Sequence, residues 1–325
     1  MEEIRIYCEN DRRYHTFPMG TDLKTISDSI YPSASLAALV NNQLKELSFK
    51  IITTNTVRFI DYDHPDGRRT YIRSLCFVLQ NVIREMYPEK VLVIDYSLPS
   101  GLYCEIREKE EMYDGRPKVY FVTDEELERI QARMKEIIDA DLPFEKTKQT
   151  LEDTVKLFEA NGQKEKVNLA RSLGRITYSV YYLDGQADTF HGPLTPSTGY
   201  LKTFDLIGFN NGFCLQYPMD GSYGKVLPIK RQSKLAGALK EHSDWCAIMG
   251  VKGVGSLNQC VRDGKIIDLI NLSEALHERK YADIADMIYA RRGSVKIVFI
   301  AGPSSSGKTS TSKRLTLQCR ILGLN

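Results

Sequence analysis

Between Val295 and Leu322 the chain reads VKIVFIA, then GPSSSGKT, then STSKRLTLQCRIL. Few folds accept that succession. Six apolar or β-branched residues interrupted by one lysine predict a buried strand over Val295–Ala301, and the following segment places Leu315, Cys319 and Leu322 on one face of a helix. The connection has the pattern Gly302-x-x-x-x-Gly307-Lys308-Thr309. Its glycines let the backbone curl until several N–H groups point inward, and the helix starting near Lys308 adds the positive end of its dipole. Such a loop is built for phosphate. Gly302, Ser304, Ser305, Ser306, Gly307, Lys308, Thr309 and Ser310 are therefore the expected binding residues for ATP or GTP. Lys308 is expected to reach the β- and γ-phosphates as the catalytic cation, and the Thr309 hydroxyl to ligate Mg²⁺.

The 325 residues leave room for two or three domains around this element. Forty-four basic side chains against 42 acidic ones give a formal charge of +2, so bulk electrostatics argue for neither a nucleic-acid nor a membrane partner. No apolar run approaches the ~20 residues that span a bilayer, and the start MEEIRIYCENDRR lacks the pattern of a secretory signal. The seven cysteines are scattered singly without a CxxC, which predicts reduced, mostly buried thiols and a cytoplasmic protein.

Residues 1–62 read as a small mixed domain. Ile4–Cys8 and Thr56–Ile60 are strand-like, and Thr21 or Asp22 can cap a helix carrying Leu23, Ile26 and Ile30. Strand, strand, helix, strand, strand in this length suits a β-grasp sheet wrapped on one helix. The segments FPMGTDLKTISDSI and LAALVNNQLKELSFKI resemble the TGS domain of threonyl-tRNA synthetases and some GTPases. That resemblance implies an RNA, tRNA or small-nucleotide ligand for this module; a packed module without a ligand is the alternative.

Residues 63–224 read as a larger α+β domain with a mostly antiparallel sheet. Predicted here are a helix over Ile72–Tyr87, a strand–turn–strand in VLVIDYSLPSGLYCEI, and a helix opened by a Thr123/Glu126 capping box. Further helices are expected near Lys146–Ala160 and Glu165–Leu173, then strands in ITYSVYYLDG and YLKTFDLIGF; His64 is expected in a turn. The stretches RSLCFVLQNVIREMYP, LPSGLYCEI and DTFHGPLTPSTGYLKTFDL resemble the editing domain of threonyl- and alanyl-tRNA synthetases. In that family an HxxxH pair and a Cys-x-x-x-His build the hydrolytic site. Here the resemblance places those four positions on Arg73, Phe77, Phe190 and Leu194. Phenylalanine neither ligates a metal nor relays a proton, so hydrolytic editing is not expected. Asp188, Arg73 and His191 remain as polar residues for such a cleft, with Arg73 either a binder of carboxylate or phosphate or a structural partner.

Residues 225–292 form a predicted connector, basic through Lys230, Arg231 and Lys234 and helical over Leu272–Arg292. In residues 293–325, the loop GPSSSGKTS resembles that of uridine kinases and phosphoribulokinases. That resemblance implies a P-loop α/β kinase domain phosphorylating a nucleoside hydroxyl. Its remaining βα units, Mg²⁺ carboxylate and catalytic base are expected beyond Asn325, with this segment silent by itself. The alternatives are an RNA- or nucleotide-binding regulatory module without catalysis and, disfavoured by the four replaced positions, a working editing factor.

Overall fold

The computed structural model describes residues 2–31, 34–99, 101–113, 116–219, 224–229, 232–251 and 253–324. It is an α+β protein with three sheets, divided into two compact units, Met1–Asp244 and Trp245–Asn325.

The first unit begins with β1 (Glu3–Cys8), β2 (Arg13–Pro18), α1 (Leu23–Ile30), β3 (Ala37–Val40), β4 (Gln43–Lys45) and β5 (Asn55–Ile60). Asp22 caps α1 by accepting from Thr25 N at 2.9 Å, and Leu23 and Ile26 are buried against the sheet. The strand order is β2-β1-β5-β3-β4, with β1 and β5 parallel. Asn41 and Asn42, both at positive φ, make the tight turn between β3 and β4.

Next come α2 (Pro65–Met86), β6 (Lys90–Leu98), β7 (Gly101–Tyr113), β8 (Arg116–Tyr120) and α3 (Asp124–Asp139). They are followed by β9 (Glu145–Thr150), α4 (Leu151–Ala160), α5 (Lys164–Ser172), β10 (Thr177–Leu183) and β11 (Gln186–Asp188). The unit's last strands are β12 (Asp205–Phe209) and β13 (Gly212–Gln216), and α6 (Ser233–Ile248) spans its end. β12-β13-β7-β6 form one antiparallel sheet with β8 beside β7; β11-β10-β9 form another. The buried face of α2 (Leu75, Val78, Leu79, Val82) joins Ile130 and Met134 of α3 and Phe213 and Leu215 of β13 in one core. Each such side chain contributes about 1.5–3 kcal/mol by leaving water. The capping box of α3 is made as expected, Thr123 Oγ1 accepting from Glu126 N and Glu126 accepting from Thr123 N.

Three expectations change. α2 starts at Pro65 rather than Ile72, and His64 is its N-cap, its Nδ1 accepting from Asp66 N at 3.1 Å. Proline at the first helical position loses no helix hydrogen bond, so the start costs little. Residues Lys146–Thr150, read as the beginning of a helix, belong to β9; pairing with β10 draws them into a sheet, and Thr150 caps α4 instead. The predicted buried strand Val295–Ala301 forms no strand, and Ile297 and Phe299 are 69% and 87% exposed. A strand exists only by pairing, and no other strand lies in this unit among the described residues.

At the entry to α2, Gly67 is a close-approach residue: a Cβ there would sit 1.8 Å from the carbonyl oxygen of Asp61. Gly67→Ala is expected to destabilise the first unit by about 3 kcal/mol, read from its denaturant midpoint. An unchanged midpoint would mean that the helix entry shifts freely.

The second unit holds α7 (Val254–Arg262), α8 (Ile266–Ala290) and α9 (Lys308–Ile321). Leu315, Cys319 and Leu322 do share one face, packed on Tyr281, Ala285 and Ile288 of α8. Among the described residues, no helix is long and apolar enough to cross a membrane.

Candidate functional site

In the second unit the loop curls as its sequence dictates. Ser305 (φ 58°) and Gly307 (φ 76°) take left-handed conformations, and α9 starts at Lys308, its first bond running from Thr311 N to Gly307 O at 2.9 Å. Glycine adopts that conformation without strain, and its position as N-cap leaves the first N–H groups of α9 free for an anion. The loop closes tightly: a Cβ on Gly302 would meet Ser306 Oγ at 2.7 Å. Ser304, Ser305, Ser306, Thr309 and Ser310 are exposed around it. Lys308 Nζ bends back to donate to Pro303 O at 2.5 Å, a bond that an arriving phosphate would replace. Tyr281 of α8 stands 3.4 Å from Thr311 Oγ1 and fixes the first turn of the helix. Cradle, lysine and exposed Thr309 hydroxyl have the donor chemistry for a nucleotide phosphate and for Mg²⁺.

In the first unit, α2 carries Thr70, Arg73, Ser74, Phe77, Asn81 and Arg84 at helical spacing, and this stripe faces residues 181–195. Arg73 donates from Nε and Nη2 to Pro193 O at 3.2 and 3.0 Å. Ser74 Oγ accepts from Thr195 N at 2.8 Å; Asn81 Nδ2 donates to Leu183 O at 2.8 Å; Arg84 Nη1 donates to Ala187 O at 3.1 Å. The helix side chains thus sew the neighbouring backbone down. Gly192 makes this possible, because a Cβ there would lie 2.8 Å from the Arg73 guanidinium carbon.

All four positions tied by resemblance to hydrolytic ligands converge here, and at three of them, Phe77, Phe190 and Leu194, the chemistry is packing. Phe77 is fully buried, with ring centroids 5.1 Å from Phe190 and 5.8 Å from Phe144; Leu194 is buried beside them. Burial lowers the pKa of Arg73, which stays a cation held by a carbonyl. Tyr181 closes one side, donating to Glu46 Oε2 at 3.0 Å, and Lys146 bonds the same carboxylate at 2.7 Å. Among the described residues no group of three or more His, Cys, Asp or Glu could hold a metal.

The polar residues expected to share a cleft with Arg73 do not. Asp188 is fully buried in a separate cluster, accepting from Arg84 Nη2 at 3.0 Å, Gln163 Nε2 at 3.2 Å and Lys166 Nζ. Burial would raise its pKa, but Lys166 and then Arg84 hold it below its ordinary value. His191 is exposed. Arg84 lies eleven residues, three helical turns, after Arg73, so its place on the stripe was open to helical-periodicity reasoning. Lys166 and Glu46 carry no local signal. Lys230 and Arg231 of the basic connector lie outside the described residues.

A cleft of about 490 Å³ opens elsewhere in this unit, lined by Asp28, Tyr71, Asp139, Asp141, Tyr200 and Lys202. Two of its acids are occupied: Lys24 pairs with Asp28 at 2.7 Å, and Asp141 accepts from Gly199 N at 3.0 Å. The cysteines are free, and burial pushes Cys76 and Cys214 up to about 12, which makes them poor nucleophiles.

No family model matches the chain. It is 29% identical to the threonine–tRNA ligase of Carboxydothermus hydrogenoformans over 191 residues, 58% of this chain and 28% of that protein. It is 29% identical to the ligase of Acetivibrio thermocellus over 192 residues, 58% of this chain and 29% of that one. For the ligase of Francisella tularensis subsp. tularensis the identity is 26% over 199 residues, 60% of this chain and 30% of the ligase. The chain thus spans less than a third of the length of these curated relatives.

Proposed function

We propose that the chain is part of a nucleotide-dependent phosphotransferase whose front end descends from a threonine–tRNA ligase and recognises RNA without deacylating mischarged tRNA. The observation that supports the first half is the loop itself: left-handed Ser305 and Gly307, and Lys308 opening a helix. In this reading the backbone N–H groups of the loop and Lys308 bind the β- and γ-phosphates of ATP or GTP, and the Thr309 hydroxyl holds Mg²⁺. Magnesium would neutralise charge on the transferring group. Lys308 contributes binding and charge neutralisation at the γ-phosphoryl, for delivery to a nucleoside hydroxyl as the resemblance to uridine kinases implies. The second half draws on the likeness to tRNA ligases together with the packed residues Phe77, Phe190 and Leu194, where hydrolysis would need ligands.

Lys308→Ala is expected to weaken binding of a fluorescent ATP analogue about tenfold or more, since a charge-assisted bond is lost, while the melting temperature stays the same. Radiolabelled ATP with a nucleoside panel then tests transfer by the full-length protein. Binding that ignores Lys308 would remove the loop from the reading, and release of serine from mischarged tRNA would overturn the loss of editing.

A second reading, binding without catalysis, is favoured by one feature. No carboxylate is hydrogen-bonded to Lys308 or Thr309 among the described residues. Tight ATP binding with no transfer to any nucleoside would select it.

A further inference from the structure

The small sheet of β1 to β5 packs one face on α1; the other is open around β1 and β2 and buried at Ile60 and Ala37. Strand alternation and register put Arg5 and Tyr7 of β1, Tyr14 and Thr16 of β2, and Thr56 and Arg58 of β5 together on the open face. Tyr7 lies opposite Tyr14 with ring centroids 5.1 Å apart, and the Arg5 guanidinium sits 4.0 Å over the Tyr14 ring. Tyr14 nonetheless remains 58% exposed.

A single exposed aromatic on a surface is ordinary. Its neighbours here make the difference. Arg5 and Arg58 on the face, and Arg12 in the turn between β1 and β2, are exposed, and none of them is within ion-pairing distance of a carboxylate among the described residues. The open face therefore combines two rings with Arg5 and Arg58; Arg12 stands in the adjoining turn with Glu9 and Asp11, and Glu3 adds a carboxylate at the start of β1, opposite Pro18.

We propose that this face is a stacking surface for single-stranded RNA, with bases on Tyr14 and Tyr7 and phosphates on Arg5, Arg12 and Arg58. The proposal deepens the RNA-recognising half of the function above and rests on it. Exposed rings accept any base, and arginines beside them meet the backbone charge, which is the combination single strands require. A duplex offers no unstacked base, so the surface discriminates against it.

The test is fluorescence anisotropy of the full chain with a labelled single-stranded RNA of about 12 nucleotides, its duplex, and the DNA of the same sequence. Tyr14→Ala and Tyr7→Ala are each expected to weaken single-strand binding about tenfold, whereas Tyr14→Phe keeps it within about twofold. Arg58→Ala should flatten the dependence of log affinity on log salt by about 0.7, one phosphate contact. Tyr14 and Arg58 are exposed and Tyr7 is half-buried at the surface, so circular dichroism of the variants should match the parent. RNA bound equally well by the tyrosine variants would overturn this surface and leave the RNA reading standing. No RNA binding by the parent chain would overturn both. Equal binding of DNA would widen the ligand to single strands in general and overturn the RNA assignment. Capture of an acidic peptide that competes with no nucleic acid would replace it with a protein partner.

Discussion

Asp188→Asn is expected to destabilise the first unit by about 3–5 kcal/mol, because it removes one member of a buried charge cluster and leaves the others uncompensated. Asp188 is fully buried between Arg84, Lys166 and Gln163, and it also accepts from Thr189 N at 2.7 Å. An amide keeps the shape and one acceptor but not the charge, so two cations lose their partner. The pH dependence follows by sign. The folded-state pKa lies below the ordinary 3.8, against the pull of burial and because of Lys166 and Arg84. The unfolded chain then takes up the proton first. The contribution is whole above a pH of about 4 and fades as the pH falls through the folded value. Melting temperatures followed into acid should drop more steeply for the parent than for Asp188→Asn. Parallel slopes would mean that Asp188 is not held ionised by its neighbours.

What could be read from the sequence was local. The Asp22 cap, the Thr123/Glu126 box and the Leu315–Cys319–Leu322 face each depend on residues within one or two turns, and each stands where its spacing put it. β9 was illegible because EKTKQT has no alternation of its own; only pairing with β10 makes it a strand. Val295–Ala301 failed in the opposite way. Its composition is that of a strand, but a strand is a relation between two segments, and composition describes one. The site shows the same division. The curl of the loop Gly302–Thr309 is written into Gly302, Gly307 and Lys308. Asp188 was placed with Arg73, because nothing in the sequence shows that Arg84 and Lys166 come to it from α2 and α5.

Phe77→Ala is expected to cost about 3–5 kcal/mol, the range for a fully buried aromatic whose neighbours close only partly around the gap. Phe77 is the centre of the packed site, in contact with Phe144 and Phe190 and walled by Leu194. The backbone on its far side is pinned by Arg73 and Ser74, which limits collapse and points to the upper half of the range. Phe77→Leu should cost about 1 kcal/mol, since volume is largely kept. Phe77→Ala and Phe190→Ala together should cost less than the sum of the two, because the first already removes contacts that the second would lose. Urea midpoints of the parent and the four variants measure all of this. A loss below about 1 kcal/mol for Phe77→Ala would mean that the region is an open cleft with a mobile ring, and the account of a filled site would fail. A large loss carries a further consequence: Phe77→His would set an imidazole against the rings of Phe144 and Phe190 without a polar partner, so a substitution toward a ligand there meets a stability barrier.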